Sequence, residues 1–405
     1  MHPTNLNAVS EEKLVYWVVK TALVLFFISD VLNRILIYYE FDFSASLYVR
    51  GFYELVFISI IAVYSNRSRT SFFITILILF CFFAAGIIAF SLNYPDDFNT
   101  LFHLSVFNKY IFVFIIYQAI NSLKNKPTYI DNLVALLENI FVLNSVIVII
   151  GAAFQIDLLR SYPGERSLRF GYIGFIPAVN EATLFYLIGL SLAYYRRYIL
   201  NIETKKFYVI VVASLLLGTK AIYLIIVSLL LLHLARTSKF KTKVYVISTI
   251  LILAFAVKLY LGTPDAQVRF NLFYRLANEY GIMSMLLSSR DILLQTRFLA
   301  NTDYWGIVNY LFGGQNQLRF LIEMDLFDMM LFFGIIGSIL YLSLFFSSLF
   351  TFKKNRYFNL YFILIYFTIA ALGGHFFASA LNALYLALAV LYIKSSQKSV
   401  PLLHN

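Results

Sequence analysis

The sequence predicts an all-α protein embedded in a membrane, and three observations carry that expectation. Apolar residues make up 61% of 405 positions and charged residues only 13%, against roughly 45–50% and about 25% in soluble globular chains. The apolar residues fall in runs of roughly 20, the length a helix needs to cross ~30 Å of hydrocarbon. Short clusters of lysine and arginine separate the runs. The net charge of +11 therefore reads as a positive-inside pattern rather than a nucleic-acid surface. Residues 1–405 are expected to form a single membrane domain, with membrane lipids as surroundings and no nucleic-acid partner.

Taken in order, spans are expected near 14–37, 47–63, 71–91, 104–121, 130–151, 178–195, 205–217, 221–236, 244–262, 326–350, 358–372 and 376–393, about twelve in all. The polar start "MHPTNLNAVSEEK" has no basic stretch and no small-residue cleavage site follows, so the first run is expected to be a retained span. Basic clusters at Arg67/Arg69, Lys124/Lys126, Arg196/Arg197 with Lys205/Lys206, Arg236 with Lys239/Lys241/Lys243, Lys353/Lys354/Arg356 and Lys394/Lys398 all fall on one side. The positive-inside rule makes that side cytoplasmic and puts both termini there. The run "FYVIVVASLLLGTKAIYLIIVSLLLLHLA" lies between two such clusters. As one helix it would reach ~43 Å, so two short spans turning at Gly218-Thr219-Lys220 suit both flanks better than one tilted helix. Within the spans, Asp30/Arg34 and Arg50/Glu54 are expected to pair along their own helices, and Lys109 with Glu138 across successive ones. The lone cysteine, Cys81, excludes an intrachain disulfide.

Two long outer segments remain, 152–177 and the larger 263–325. The first contains Arg160, Arg166 and Arg169, with only Asp157 and Glu165 to pair them. Guanidinium groups are natural phosphate ligands, planar and always charged; at a membrane edge they also bind lipid headgroups or snorkel. In the second, "MLLSSRDILLQTRFLANTDYW" repeats leucine, isoleucine and phenylalanine at helical spacing, which predicts an amphipathic helix along the membrane surface. Arg290 and Arg297 share a face of that helix. Lys220, at the turn between the short spans, is expected to be paired or part of a site, because a lysine at membrane depth costs ~2.5–3.5 kcal/mol.

The stretch "GGQNQLRFLIEMDLFDMMLFFGIIG" sets Arg319, Glu323, Asp325 and Asp328 at the mouth of a late span. The helix dipole accounts for Asp328 and suits Asp325. Glu323 and Arg319 precede the helix. An outward-facing acid among arginines suits a general base beside an anionic leaving group; Glu323 is the first candidate, with Asp325 the alternative if the mouth is irregular. His103, His233 and His375 are scattered singly, with no HxxH or HExxH spacing, so no metal site is expected. No nucleotide loop of the Walker or GxGxxG kind is present either, so no cofactor is expected.

These patterns together resemble Wzy-type polysaccharide polymerases, in the membrane superfamily that also holds the O-antigen ligases. Arg160 followed by Gly171 resembles the arginine–glycine motif of such polymerases' first large loop. "GTKAIYL" resembles the superfamily's short-helix turn, with Lys220 where arginine is usual. "SSRD" with Arg290, then "LFGG", then an acidic mouth to a glycine-containing helix resembles the second loop, although Arg269 to Gly281 is one residue too long for a second arginine–glycine motif. Ligases carry a histidine eleven residues before a helix glycine; counting back from Gly334, with Gly337 following, lands on Glu323. The resemblance implies a metal-independent glycosyltransferase of the bacterial inner membrane, facing the periplasm and making O-antigen or capsule. It would pass a growing glycan from undecaprenyl diphosphate to the non-reducing end of another lipid-linked repeat unit. Arg160, Arg166, Arg169, Lys220, Arg290, Arg297 and Arg319 would hold the diphosphate and substrate, and a chain-length regulator is the protein partner that the resemblance admits. The alternatives are the ligase, which hands glycan to lipid A-core, and a flippase for lipid-linked oligosaccharide.

Overall fold

The structure is a computed structural model that describes residues 4–64, 67–96, 98–162, 170–202, 204–236, 277–350 and 355–399, with 244, 247 and 248 between. Arg166 and Arg169, most of the expected span at 244–262 and residues 263–276 lie outside the described residues. The described chain is helical throughout, joined by turns, with one isolated bridge between Arg160 and Tyr172.

Among the described residues, the long helices up to residue 236 are α1 (Thr4–Tyr38), α2 (Ala45–Val63), α3 (Arg67–Asn93), α4 (Thr100–Ile120), α5 (Pro127–Ala153), α6 (Val179–Tyr194), α7 (Lys206–Leu215) and α8 (Lys220–Arg236). Those that follow the second outer segment are α9 (Asp325–Leu349), α10 (Arg356–Leu372) and α11 (Ala383–Ser399). Six helices among the described residues are long and apolar enough to cross a membrane: α1 to α5 and α9. Local signals place their ends. Asn99 Oδ1 accepts the Phe102 N–H at 3.0 Å and caps α4, and Pro127 opens α5, where its missing N–H costs nothing.

Sequence pattern also sorts the layers. Most of α6, Ala182–Tyr194, and the first part of α11, Ala383–Ile393, are apolar all round and buried, so they form the interior together with α4. In contrast, α2 and α3 expose Leu47, Phe52, Leu55, Ile74, Leu77 and Leu92. In water such a band would be a liability; against lipid tails it needs no partner.

The expected break between the short apolar helices occurs. The α7 helix ends at Leu215 and α8 starts at Lys220, with Gly218 between them at φ +71°. A Cβ on Gly218 would stand 2.0 Å from the Phe170 carbonyl oxygen, so the turn is glycine by contact as well as by torsion.

The intrahelical ion pairs do not form as expected. Asp30 pairs with Arg50 across α1 and α2, Glu54 accepts from Asn108 Nδ2 at 2.7 Å, and Glu138 pairs with Arg196 at 2.5 Å and Lys206 at 3.7 Å. Bonds between helices tie separate elements together, whereas a pair along one helix face is worth only ~0.2–0.5 kcal/mol. Arg34 is left to donate to the carbonyls of Leu158 at 2.9 Å, Pro177 at 3.3 Å and Arg160.

The second outer segment differs from the single amphipathic helix expected. A helix at 277–287 stops at Ser288 and Ser289, both left-handed at φ +56° and +64°. A second helical stretch runs Arg290–Leu293, Leu294–Phe298 and Leu299–Thr302, with a π-turn in the middle. Two consecutive left-handed residues cannot continue a right-handed helix. Beyond it, the short helix Ile307–Phe312 wedges between α3 and α9. Its crossing is backbone on backbone: Gly334 interrupts α9 at φ +68°, and a Cβ there would stand 2.4 Å from Gly313 N and the Leu311 carbonyl. Gly334→Ala is accordingly expected to destabilise the protein by about 2 kcal/mol or more, through torsional strain plus the clash. A thermal melt of the detergent-purified variant checks this; an unchanged midpoint would contradict the close crossing.

Candidate functional site

The mouth of α9 is built by two buried carboxylates that bond backbone rather than each other. Asp325 is 3% exposed, and its oxygens accept the N–H groups of His375 and Phe376 at 2.5 Å each and of Phe377 at 2.9 Å. Asp328 is 2% exposed and accepts Ile322 N at 2.7 Å and Met324 N at 3.1 Å. Each carboxylate supplies the acceptors that an irregular, buried segment lacks. Asp325 thus pins the 373–377 turn, and Asp328 pins the loop just before its own helix.

Glu323 is pushed out by the same bonds. With the N–H groups on either side drawn inward to Asp328, residue 323 takes a left-handed conformation, φ +65°. Its side chain is 44% exposed, while the two neighbouring acids are buried. Behind it, Gly374 packs so closely that an added Cβ would lie 3.0 Å from Glu323 Cα. Such a backbone is uncommon for a non-glycine residue and gathers at functional sites.

The arginines of the second segment converge on the same loop. Arg290 Nη2 donates to Glu323 Oε2 at 3.4 Å, its Nη1 to the Leu372 carbonyl at 3.5 Å, and its Nε has no hydrogen-bond partner. Both bonds are long, so the guanidinium is placed but far from saturated. Arg297 donates to the Leu321 carbonyl, two residues before Glu323. Both arginines bond the 321–323 loop at the mouth of α9.

Lys220, at the start of α8, donates to the carbonyls of Met285 and Leu286 and to Ser288 Oγ. It closes the C-terminal end of the 277–287 helix, where carbonyls lack intrahelical donors. The turn before it receives the first outer loop: Tyr172 N donates to the Leu216 carbonyl at 2.9 Å, and Ser161 N to the Gly171 carbonyl at 2.9 Å. Arg160 and Gly171 therefore sit on facing sides of one small bridge docked on the α7–α8 turn, with Arg160 Nε 3.6 Å from Asp157 Oδ1. A continuous series of contacts runs from Arg160 through the turn and Lys220 to Arg290 and Glu323. Arg319 stands apart from it, on the outer surface, bound to Asp96 and to Tyr94 Oη at 3.0 Å.

His375 is the residue that sequence reasoning passed over. It is half-buried at φ +73° beside Gly374, and its imidazole lies within electrostatic reach of Glu323, Lys109 and Arg290. Burial lowers its pKa, Lys109 and Arg290 lower it further, and the Glu323 carboxylate opposes them. No local sequence pattern links His375 to the 321–328 stretch. Among the described residues no three His, Cys, Asp or Glu side chains gather as metal ligands would.

The division of labour among the acids is testable by stability. Asp325→Ala leaves three backbone N–H groups without an acceptor and is expected to cost roughly 3 kcal/mol or more. Glu323→Gln is expected to stay within about 1 kcal/mol of the parent, since an exposed ion pair contributes little. Melting the two purified variants side by side separates them; equal losses would contradict the assignment.

Comparison with family models, curated proteins and solved structures found no match.

Proposed function

We propose that this chain is a polysaccharide polymerase of the bacterial inner membrane, working at its periplasmic face on undecaprenyl-diphosphate-linked oligosaccharides. The supporting observation is the mouth of α9: a single exposed carboxylate, held outward by its backbone, beside an arginine whose donors are not used up. In this reading about twelve spans cross the membrane, both termini are cytoplasmic, and 152–177 and 263–325 are periplasmic.

The chemistry follows from the arrangement. Glu323 takes the proton of the acceptor hydroxyl, making its oxygen the nucleophile. That oxygen attacks the anomeric carbon of the donor glycan, and the bond to the diphosphate breaks with its electron pair. Diphosphate is already a good leaving group, so the protein's task is to stabilise departing negative charge. Arg290 is nearest to Glu323 and supplies that stabilisation, with Arg297 and Lys220 holding the helices that carry it. Arg160, Arg166, Arg169 and Arg319 bind the diphosphate and the substrate. Asp325, consumed by three backbone bonds, positions rather than reacts.

Purified protein, given lipid-linked repeat units without metal or nucleotide, is expected to make glycan ladders. Glu323→Gln should lower the rate by about 10²–10⁴, the usual worth of a general base, leaving single repeat units. Arg290→Ala, Arg297→Ala and Arg169→Ala should each lose polymer, and lysine at 290 should rescue poorly because it lacks the planar fork. Normal ladders from Glu323→Gln would remove the carboxylate from the reaction. Topology has its own check: a cysteine at position 220 should label from the periplasmic side, and protection there would sink the two-span arrangement of α7 and α8.

A further inference from the structure

Resting on that reading, we propose that His375 is a positioning residue for Glu323, facing it from the 373–377 turn and receiving the proton that Glu323 removes from the acceptor. The two segments that carry them are lashed together. Asp325 N donates to the Gly373 carbonyl at 3.2 Å, while the Asp325 carboxylate holds the N–H groups of His375, Phe376 and Phe377. Gly374 lies flat on the Glu323 backbone, with a hypothetical Cβ 3.1 Å from the Glu323 carbonyl carbon and oxygen. Glu323 and His375 both stand in the left-handed region, +65° and +73°, on the two sides of this contact. Histidine, like asparagine, is one of the few non-glycine residues enriched at such a φ.

The surroundings of the imidazole decide its direction of proton flow. The charged groups that act on it electrostatically are Glu323, Lys109 and Arg290. Burial lowers its pKa, the Glu323 carboxylate raises it, and Lys109 and Arg290 lower it. When Glu323 has taken the acceptor proton, its carboxyl is neutral and no longer balances Arg290. Passing the proton to His375 restores the carboxylate and creates an imidazolium beside it. The sequence balances: the acceptor O–H bond breaks, the new glycosidic C–O bond forms, and the C–O bond to diphosphate breaks with its electrons on the diphosphate. The proton travels from hydroxyl to carboxylate to imidazole and then to water.

The experiment uses His375→Asn and His375→Gly in the full-length protein, since both side chains tolerate the left-handed backbone. Each is expected to lower the polymerisation rate by roughly 10²-fold, the lower end of what a general acid–base group supplies, with KM for the lipid-linked unit unchanged. Added imidazole should restore part of the rate to His375→Gly and none to Glu323→Gln. A substrate-free readout runs beside it: in protein carrying isotope-labelled histidine, the His375 signal, identified by its loss in His375→Asn, should titrate at lower pH in Glu323→Gln. That direction follows because the lost carboxylate favours the charged imidazole. Full activity in both His375 variants, or an unshifted titration together with no imidazole rescue, overturns the relay while leaving the polymerase reading intact. A wild-type protein that makes no polymer ends that reading and the relay with it, even where the titration shows the two side chains coupled.

Discussion

Buried peptide groups that leave helical geometry still need hydrogen-bond partners, and Asp325, Asp328, Arg34, Arg297 and Lys220 answer to that constraint. Asp325 and Asp328 accept five backbone N–H groups between them. Arg34 donates to carbonyls of the first outer loop, Arg297 to one at the mouth of α9, and Lys220 to the end of the 277–287 helix. Breaking helices here is possible only because side chains from distant parts of the chain replace the missing bonds. The charges that looked like a field for a ligand are in large part the means of keeping loops folded.

The same constraint separates structural charge from chemical charge. A carboxylate bound by three N–H groups has little capacity left for a substrate, and Arg34, which donates to three carbonyls, is similarly engaged. Against that background Glu323 and Arg290 differ. Glu323 is exposed, and Arg290 is held only by long bonds with its Nε unpartnered. The proposed reaction is placed at these two because their capacity remains.

Close backbone contact supplies the rigidity that side chains alone would not. Gly334 against Gly313, Gly218 against Phe170 and Gly374 against Glu323 are three places where chain crosses chain without a side chain between. Small-residue crossings of this kind are how membrane helices gain packing without a hydrophobic drive. Beneath them lies an aromatic interior, where Tyr341 Oη donates to the carbonyls of Tyr110 at 3.1 Å and Phe377 at 3.2 Å. That hydroxyl ties α4 and α9 to the turn that carries His375, so the outer site rests on a cross-braced core.

Helices, their apolar character and the break at Gly218 were legible in the sequence because each depends on residues within a few turns of one another. Composition and periodicity sufficed for an all-helical membrane chain, and Gly-Thr-Lys sufficed for the turn. Partner choice was not legible. Asp30 with Arg34 satisfies a local rule, yet Asp30 bonds Arg50 and Arg34 bonds loop carbonyls more than a hundred residues away. The acidic stretch at 323–328 could be read as a site, but only the fold distinguished its members: burial turned Asp325 and Asp328 inward to backbone, and their bonds turned Glu323 outward. His375 was invisible as a neighbour of Glu323, since fifty-two residues and a whole helix hairpin separate them. Local order follows from backbone and hydrophobic preferences that act at short range. Which charged group meets which is decided by desolvation in the packed structure, where every buried polar atom takes whatever partner the fold brings within reach.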